Sequence, residues 1–292
     1  MGRSKLWLIV EGRVHDRPFY DRLLESHWLT VSGGYTVRLA EQIEVDGVAA
    51  GGKRHLEAIM ELYEAEDLLR QQNRRGTNRI AFALDRDFDG HGSQGSTGGA
   101  HQMYTTMLDV EAEILLNGDL RRSVSSAYSI AREDVSDDLA DGRALATSLA
   151  KLWRDWIVMA LCCVSCGVEA GVRHASVSKI HAGGFGALDS AKRDAMVAQI
   201  EARLSTEEDR QRYADAQIKA DAILGGPEPF LLVKGKWIAS YVSHLIRELP
   251  SDMPVQANVP ADVLSKACLE TLDFGAPWVA QFHTQLDLIH AS

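Results

Sequence analysis

Three aspartates at alternate positions follow an apolar run in the segment IAFALDRDFDG, residues 80–90. On an extended backbone the side chains of Asp85, Asp87 and Asp89 would project to the same side, with successive carboxylates about 7 Å apart. Two like charges about 4 Å apart repel by roughly 1 kcal/mol in water and by about 4 kcal/mol at an effective dielectric constant of 20. A converging set therefore favours Mg²⁺ or a similar hard cation. A solvated acidic turn is the alternative that needs no ion.

Two other ion or phosphate sites are compatible with parts of the sequence. The pattern D-x-D-x-D-G matches the first half of a calcium-binding EF-hand loop, but Ser96 stands where the loop needs a glutamate, and the preceding run is typical of a strand. The segment GVAAGGKR, residues 47–54, matches G-x-x-x-x-G-K, but Arg54 replaces the hydroxyl that would hold Mg²⁺. A glycine-rich turn before a helix is the favoured interpretation of this second segment.

A further carboxylate, Glu11, ends the first apolar run of the chain. Open parallel sheets bind their ligands at the carboxyl ends of strands, so Glu11 and Asp85 would occupy equivalent positions on two strands. Asp16, five residues later, is expected to be a helix N-cap in preference to a metal ligand.

A third candidate carboxylate lies in TTMLDVEAEILL, residues 105–116. At 100° per residue, Glu111 falls in the middle of the apolar face, whereas Asp109 and Glu113 point away from it. A carboxylate on an apolar face must be paired or bind a metal, so Glu111 is either a ligand or a glutamate bonded within the core.

Two lysines flank a glycine in FLLVKGKWIASYVSHLI, residues 230–246. Lys234 and Lys236 lie between an apolar, strand-like run and an amphipathic helix. A lysine at this position could neutralise the charge of a transition-state phosphate, although a surface lysine is the default interpretation of either one.

The elements that must position these side chains follow from hydrophobic periodicity. Leu6 to Val10 and Ile80 to Leu84 are predicted to be buried strands, and helical patterns lie between them. This alternation predicts a parallel α/β sheet, flanked by helices, over residues 1–120. Residues 121–292 are predicted to be mainly helical, with long amphipathic stretches at 143–167, 190–224 and 236–248, and with a mobile loop predicted at GHGSQGSTGG, residues 90–99.

Composition limits the classes of protein to consider. The 292 residues are 46% hydrophobic, and 31 Lys and Arg against 41 Asp and Glu give a net charge of −10. The acidic balance argues against passive coating of nucleic acid but leaves a metal-dependent enzyme open. Three of the four cysteines lie in the apolar run WIVMALCCVSCGV, where core thiols are expected. No disulfide framework, signal peptide or membrane span is predicted, which fits a cytoplasmic protein.

The motifs VEGRVHDRPFY and ALDRDFD together resemble the TOPRIM domain, a metal-binding, Rossmann-like fold shared by topoisomerases, primases and OLD-family nucleases. With LDVEAEILL and VKGKWIASYVSHL added, the chain more specifically resembles the OLD-like, domain-of-unknown-function group that includes the nuclease subunit of PARIS anti-phage systems. The resemblance covers residues 6–20 and 80–116, with a weaker similarity at 231–246.

This resemblance implies a nuclease that uses Mg²⁺ or Mn²⁺. Glu11, Asp85 and Asp87 would be ligands or the general base, with Glu111 supporting a second metal, and Lys234 or Lys236 would neutralise charge. Asp89 is a further candidate metal ligand from the spacing of the three aspartates. It also implies an ABC-type ATPase sensor that restrains the nuclease, and a released homodimer that cuts host tRNA, with DNA as the alternative substrate, in antiviral defence. A non-catalytic scaffold that binds metal and a partner, and a nucleotidyl-transfer enzyme, are the alternatives.

Overall fold

Five β-strands form one mixed sheet in the computed structural model, which describes residues 5–28, 34–74, 76–88, 100–168, 172, 177–250, 256 and 259–292. The strands are β1 Lys5–Val10, β2 Gly34–Leu39, β3 Arg70–Asn73, β4 Gly76–Leu84 and β5 Gln102–Tyr104. Their order is β2-β1-β4-β3, and β5 also pairs with β4. The α/β class predicted from the sequence is confirmed.

Strand β3 departs from the wholly parallel sheet that the sequence predicts. β1 pairs in parallel with β2 and β4, and β5 pairs in parallel with β4, but β3 is antiparallel to β4. Only residues 74 and 75 separate β3 from β4. A connection of two residues permits a hairpin, whereas a parallel pair needs a crossover of a dozen residues or more.

The α-helices of the described residues alternate with the strands at first and then follow one another. They are α1 Asp16–Ser26, α2 Lys53–Ala65, α3 Val110–Asn117, α4 Leu120–Tyr128, α5 Gly142–Leu152, α6 Arg154–Cys166, α7 Ser190–Glu201, α8 Glu207–Leu224, α9 Gly235–Arg247, α10 Ala261–Leu269 and α11 Ala280–Ala291. The predicted helical character of residues 121–292 is therefore confirmed. No helix of the described residues is long and apolar enough to span a membrane.

The chain divides into two compact units. Unit 1 comprises Met1–Asp85, Thr97–Thr106 and Leu269–Ser292, and unit 2 comprises Arg86–Ser96 and Met107–Cys268. Residue 120, the boundary predicted from the change of pattern, lies inside unit 2.

Unit 1 contains the sheet and the helices that pack on it. Side chains of α2, including Leu56 and Ile59, pack with Ile9, Phe82 and Leu84 of β1 and β4 on one face. Because side chains alternate along a strand, Leu6, Leu8 and Val10 point to the other face, where each is fully buried. Helix α1 packs against β2, and α11 packs against β4 and β5.

The turn before α2 confirms the favoured interpretation of GVAAGGKR. Gly47, Gly51 and Gly52 have positive φ angles, and α2 begins at Lys53. The backbone N–H of Gly51 donates to Nδ1 of His55, 2.9 Å away, so a histidine of the helix closes the turn. The EF-hand alternative is weakened further, because strand β4 stands where that motif needs a helix.

Unit 2 is a helical assembly in which α6 packs on α8, and α9 packs on α3 and α5. The predicted stretches 143–167 and 190–224 are each divided into two helices. Helix α8 begins with a capping box, in which the N–H of Asp209 donates to Thr206 Oγ1 and the N–H of Thr206 donates to Asp209 Oδ2. The predicted core thiols are confirmed for Cys162 and Cys163, which are buried.

Candidate functional site

Glu11 and Asp85 lie at the carboxyl ends of two adjacent parallel strands in unit 1. Val10 is the register partner of Ala83, so Glu11 follows at the level of Leu84, and Asp85 comes one residue later. Neighbouring strands are about 4.8 Å apart, so the two residues leave the same edge of the sheet, offset by one residue. Both residues are partly exposed to solvent. We call Glu11 and Asp85 the strand-end pair.

The turn after Glu11 is fixed by Asp16. The backbone N–H of Gly12 donates to Oδ2 of Asp16 over 2.7 Å. A Cβ atom at Gly12 would lie 2.7 Å from Asp16 Oδ1, so a side chain there would disturb this bond. The predicted N-cap role of Asp16 is wrong, because the N-cap is His15 and Asp16 is the first residue of α1. Asp16 instead closes the loop that sets the direction of Glu11.

Asp87 belongs to unit 2, and its backbone is not extended. Strand β4 ends at Leu84, and Asp87 has φ +46°, a left-handed conformation that is uncommon outside glycine. Its N–H donates to the carbonyl oxygen of Leu108 over 2.8 Å. The premise that three aspartates share one side of an extended backbone is therefore wrong at Asp87. Asp89 lies outside the described residues.

Lys234 is the partner of Asp87. Its Nζ donates to Asp87 Oδ1 over 2.5 Å, and the two side chains are 22% and 27% exposed. The same Nζ lies 5.9 Å from the centroid of the Phe88 ring. Asp87 therefore already has a cationic partner, and Lys234 is positioned by a contact that spans 147 residues of sequence.

Lys234 and Lys236 differ sharply in their surroundings. Lys234 is the partly buried N-cap residue of α9, whereas Lys236 lies in the first turn of that helix and is exposed. Of the two lysines named from the sequence, the geometry favours Lys234. The apolar run before it was predicted to be strand-like, and this is wrong, because Pro229–Leu232 is a 3-10 helix.

Asp109 caps two helices with one oxygen atom. Its Oδ1 accepts from the N–H of Ala112 in α3 over 2.8 Å and from the N–H of Gly235 in α9 over 2.9 Å. A Cβ atom at Gly235 would lie 2.3 Å from the backbone nitrogen of Ala112, so only glycine allows the two helix ends to approach this closely.

The environment of Asp109 favours the protonated carboxyl. Burial and, to a smaller extent, the carboxylate of Glu111 raise its pKa to about 7, although the N–H groups of Gly235 and Ala112 and the charge of Lys234 oppose the rise. A carboxyl with a pKa near 7 changes charge under physiological conditions. Helical periodicity placed Asp109 away from the apolar face of its helix, whereas the structure buries it.

The predicted faces of α3 are wrong. Glu113 is completely buried, and its Oε1 accepts from the N–H of Met107 over 2.7 Å. Asp109 is also buried, whereas Glu111 is partly exposed. Helix α3 has only eight residues, and six of them are buried, so no single apolar face could be read from its periodicity. Glu111 remains a candidate metal ligand because it carries a carboxylate. It does not lie on a buried apolar face, which was the observation that first suggested this role.

No family model matches the chain, and no curated protein sequence is significantly similar to it. The function must therefore be argued from the residues. Among the described parts of the chain, no group of three or more His, Cys, Asp or Glu side chains is arranged to hold a metal ion. The strand-end pair thus offers two carboxylates from unit 1, and Asp87 with Lys234 forms an ion pair within unit 2.

Proposed function

We propose that the chain is a metal-dependent phosphodiesterase that hydrolyses nucleic acid, with Glu11 and Asp85 as its principal metal-binding carboxylates. The observation that carries this proposal is the parallel pairing of β1 with β4, which brings both residues to one edge of the sheet. Ligands of open α/β sheets bind at this edge, beyond the carboxyl ends of the strands. The TOPRIM resemblance includes these two positions among its metal ligands, together with Asp87.

The donor set fits Mg²⁺ or Mn²⁺. Mg²⁺ keeps several of its waters and is commonly held by one or two carboxylates together with substrate phosphates. Two carboxylates are therefore enough, and a closed cage of protein ligands is not required. The bound ion would activate water as a nucleophile and neutralise charge on the phosphate.

The residues of the chain have separate parts in this proposal. Glu11 and Asp85 orient the phosphodiester by fixing the position of the ion, and the Gly12–Asp16 turn keeps the Glu11 backbone in place. The resemblance assigns the neutralisation of phosphate charge to Lys234 or Lys236 of unit 2, and the partly buried position of Lys234 makes its charge more effective than that of exposed Lys236. Asp87 holds the ammonium group of Lys234 in one orientation.

The identity of the nucleic acid and the partner proteins rest on the resemblance alone. We propose tRNA as the first substrate to test and DNA as the second. An ABC-type ATPase sensor is the proposed inhibitor, and a homodimer is the proposed active form, acting as a toxic effector in antiviral defence. The chain's net charge of −10 makes a bound cation the simplest way to accept a polyanion.

One observation favours a second candidate function, a non-catalytic scaffold. Asp87, Lys234 and Asp109 all take part in bonds that join elements of unit 2, which is sufficient reason for their presence. In a scaffold, the strand-end pair would hold an ion structurally, and the chain would bind a partner ATPase or nucleic acid without turnover.

A cleavage assay separates the two functions. The purified full chain is incubated with tRNA, single-stranded RNA and duplex DNA in 5′-labelled form, with Mg²⁺, Mn²⁺ or EDTA, and alone or with an ABC-type ATPase encoded beside its gene. The nuclease proposal predicts discrete, metal-dependent products from at least one substrate. Metal binding in calorimetry, with a raised melting temperature and no product from any substrate, would establish the scaffold instead.

A further inference from the structure

Unit 1 contains a cavity of about 340 Å³ on the sheet, at some distance from the strand-end pair. Its lining includes Trp7 of β1, which precedes Glu11 by four residues and therefore lies about 13 Å from it along the strand. Helix α2 covers the face around Ile9, Phe82 and Leu84, and the cavity lies beyond that core, toward the beginning of β1. Its volume lies in the range of small-molecule sites.

The cavity offers planar surfaces and positive charge together. Arg38 belongs to the lining, and its guanidinium carbon lies 5.1 Å from the centroid of the Trp7 ring. Lys5 lies outside the lining, and its Nζ lies 4.0 Å from the same centroid. Tyr63 of α2 supplies a second aromatic ring in the lining. Unpaired nucleobases stack on aromatic rings and on guanidinium planes, and cations beside such a stack attract phosphate.

Two amide side chains lie next to each other in the same lining. Gln71 of β3 and Asn78 of β4 are direct register partners in the antiparallel pair, so their side chains share one face of the sheet. Within the described residues, neither amide is engaged in a hydrogen bond. Each presents donors and an acceptor, which is the pattern that pairs with the edge of a base.

The rest of the lining is apolar. Ile9, Ile43, Leu68 and Ile80 contribute apolar surface to it. An apolar cavity with a few convergent polar groups is the usual form of a small-molecule site. The combination of flat aromatic groups, paired amides and two cations restricts the ligand to one that is planar, anionic and able to hydrogen-bond at its edge.

We propose that this cavity binds a nucleotide, with its base against Trp7 and Tyr63, the base edge on Gln71 and Asn78, and its phosphate facing Lys5 and Arg38. The site needs no metal ion and does not depend on the proposed nuclease activity. The same chemistry is found in a free nucleoside monophosphate and in one nucleotide of an RNA strand.

Calorimetry on the full chain in EDTA tests this proposal. The probes are the four nucleoside 5′-monophosphates, the corresponding nucleosides, inorganic phosphate and a six-nucleotide RNA of mixed sequence. We expect at least one monophosphate to bind, and its nucleoside and inorganic phosphate to bind at least about fivefold more weakly. An RNA that binds more than tenfold tighter than any monophosphate identifies the strand as the ligand, and comparable affinities identify the free nucleotide.

Variants locate the binding in the cavity. Trp7→Leu is expected to weaken it at least about fivefold through lost stacking, and Trp7→Tyr to restore most of the affinity. Arg38→Gln is expected to weaken it about two- to fivefold, whereas Arg54→Gln, a matched loss of exposed positive charge on α2, leaves it unchanged.

The proposal is overturned if no monophosphate and no RNA binds at millimolar concentration, or if inorganic phosphate binds as tightly as the nucleotides. It is also overturned if Arg38→Gln and Gln71→Ala, at two exposed positions where folding is not at risk, both bind with the affinity of the unaltered chain.

Discussion

Asp109→Asn is expected to change how the stability of the protein depends on pH. Burial raises the pKa of Asp109 to about 7 from its ordinary value of 3.8. The folded state therefore binds the proton more tightly than the unfolded state does. The resulting stabilisation is fully present below about pH 4 and is lost as the pH rises through 7.

The size of this effect follows from the shift. A difference of about three pKa units at about 1.4 kcal/mol each corresponds to about 4 kcal/mol of unfolding free energy that the unaltered protein loses between pH 4 and pH 8. Asparagine keeps an oxygen that accepts from the N–H groups of Ala112 and Gly235, and it carries no charge at any pH. At pH 8 the variant is therefore expected to be more stable than the unaltered protein, by up to about 4 kcal/mol. At pH 4 the two proteins are expected to have nearly the same stability.

Urea unfolding followed by circular dichroism, in EDTA and at half-unit steps from pH 4 to pH 8, measures this difference. Asp141→Asn is the matched control, because Asp141 caps α5 with the same kind of bonds but is exposed to water. Its stability difference from the unaltered protein is the baseline against which that of Asp109→Asn is compared. If the difference in unfolding free energy between Asp109→Asn and the unaltered protein were the same from pH 4 to pH 8, the claim that burial raises the pKa of Asp109 would be refuted.

Three further perturbations test separate contacts. Lys234→Met should lower the unfolding free energy by about 1–3 kcal/mol, because the hydrogen-bonded ion pair with Asp87 is lost. Lys236→Met should change it by less than about 0.5 kcal/mol in the same urea titrations. Gly235→Ala should cost about 3 kcal/mol or more, since its methyl group would meet backbone 2.3 Å away, and an unchanged melting temperature would contradict that packing. Burial raises the pKa of Cys162 to about 12, so mass spectrometry should find this thiol unalkylated by iodoacetamide at pH 8 until the protein is unfolded.

The sheet could be predicted where its strands are apolar. The runs that form β1 and β4 are buried on both faces, so the sequence shows them as nearly continuous hydrophobic segments. Strand β3 has the sequence RQQN and lies at an edge, where no apolar pattern is needed. Its antiparallel pairing could not be anticipated from hydrophobic periodicity.

The strand-end pair could be predicted for the same reason, because Glu11 and Asp85 follow the two most apolar strands. The contacts of unit 2 could not be predicted, since they join residues far apart in the chain. Asp109 and Gly235 are 126 residues apart, and Asp87 and Lys234 are 147 apart. In the sequence, Gly235 is simply the residue between two lysines. The structure gives the reason for a glycine there, because the backbone of Gly235 lies too close to α3 to allow a side chain.

The strand-end pair can be tested most directly by the cleavage rate of single-site variants. Glu11→Gln and Asp85→Asn keep the size of each side chain and remove its charge, and Glu61→Gln makes the same change at an exposed position of α2. On the substrate that the unaltered chain cuts with Mg²⁺, the first two variants are expected to lose at least a hundredfold in rate with melting temperatures preserved, and Glu61→Gln to cut normally. Unchanged cleavage by Glu11→Gln and Asp85→Asn would contradict the assignment of the metal site.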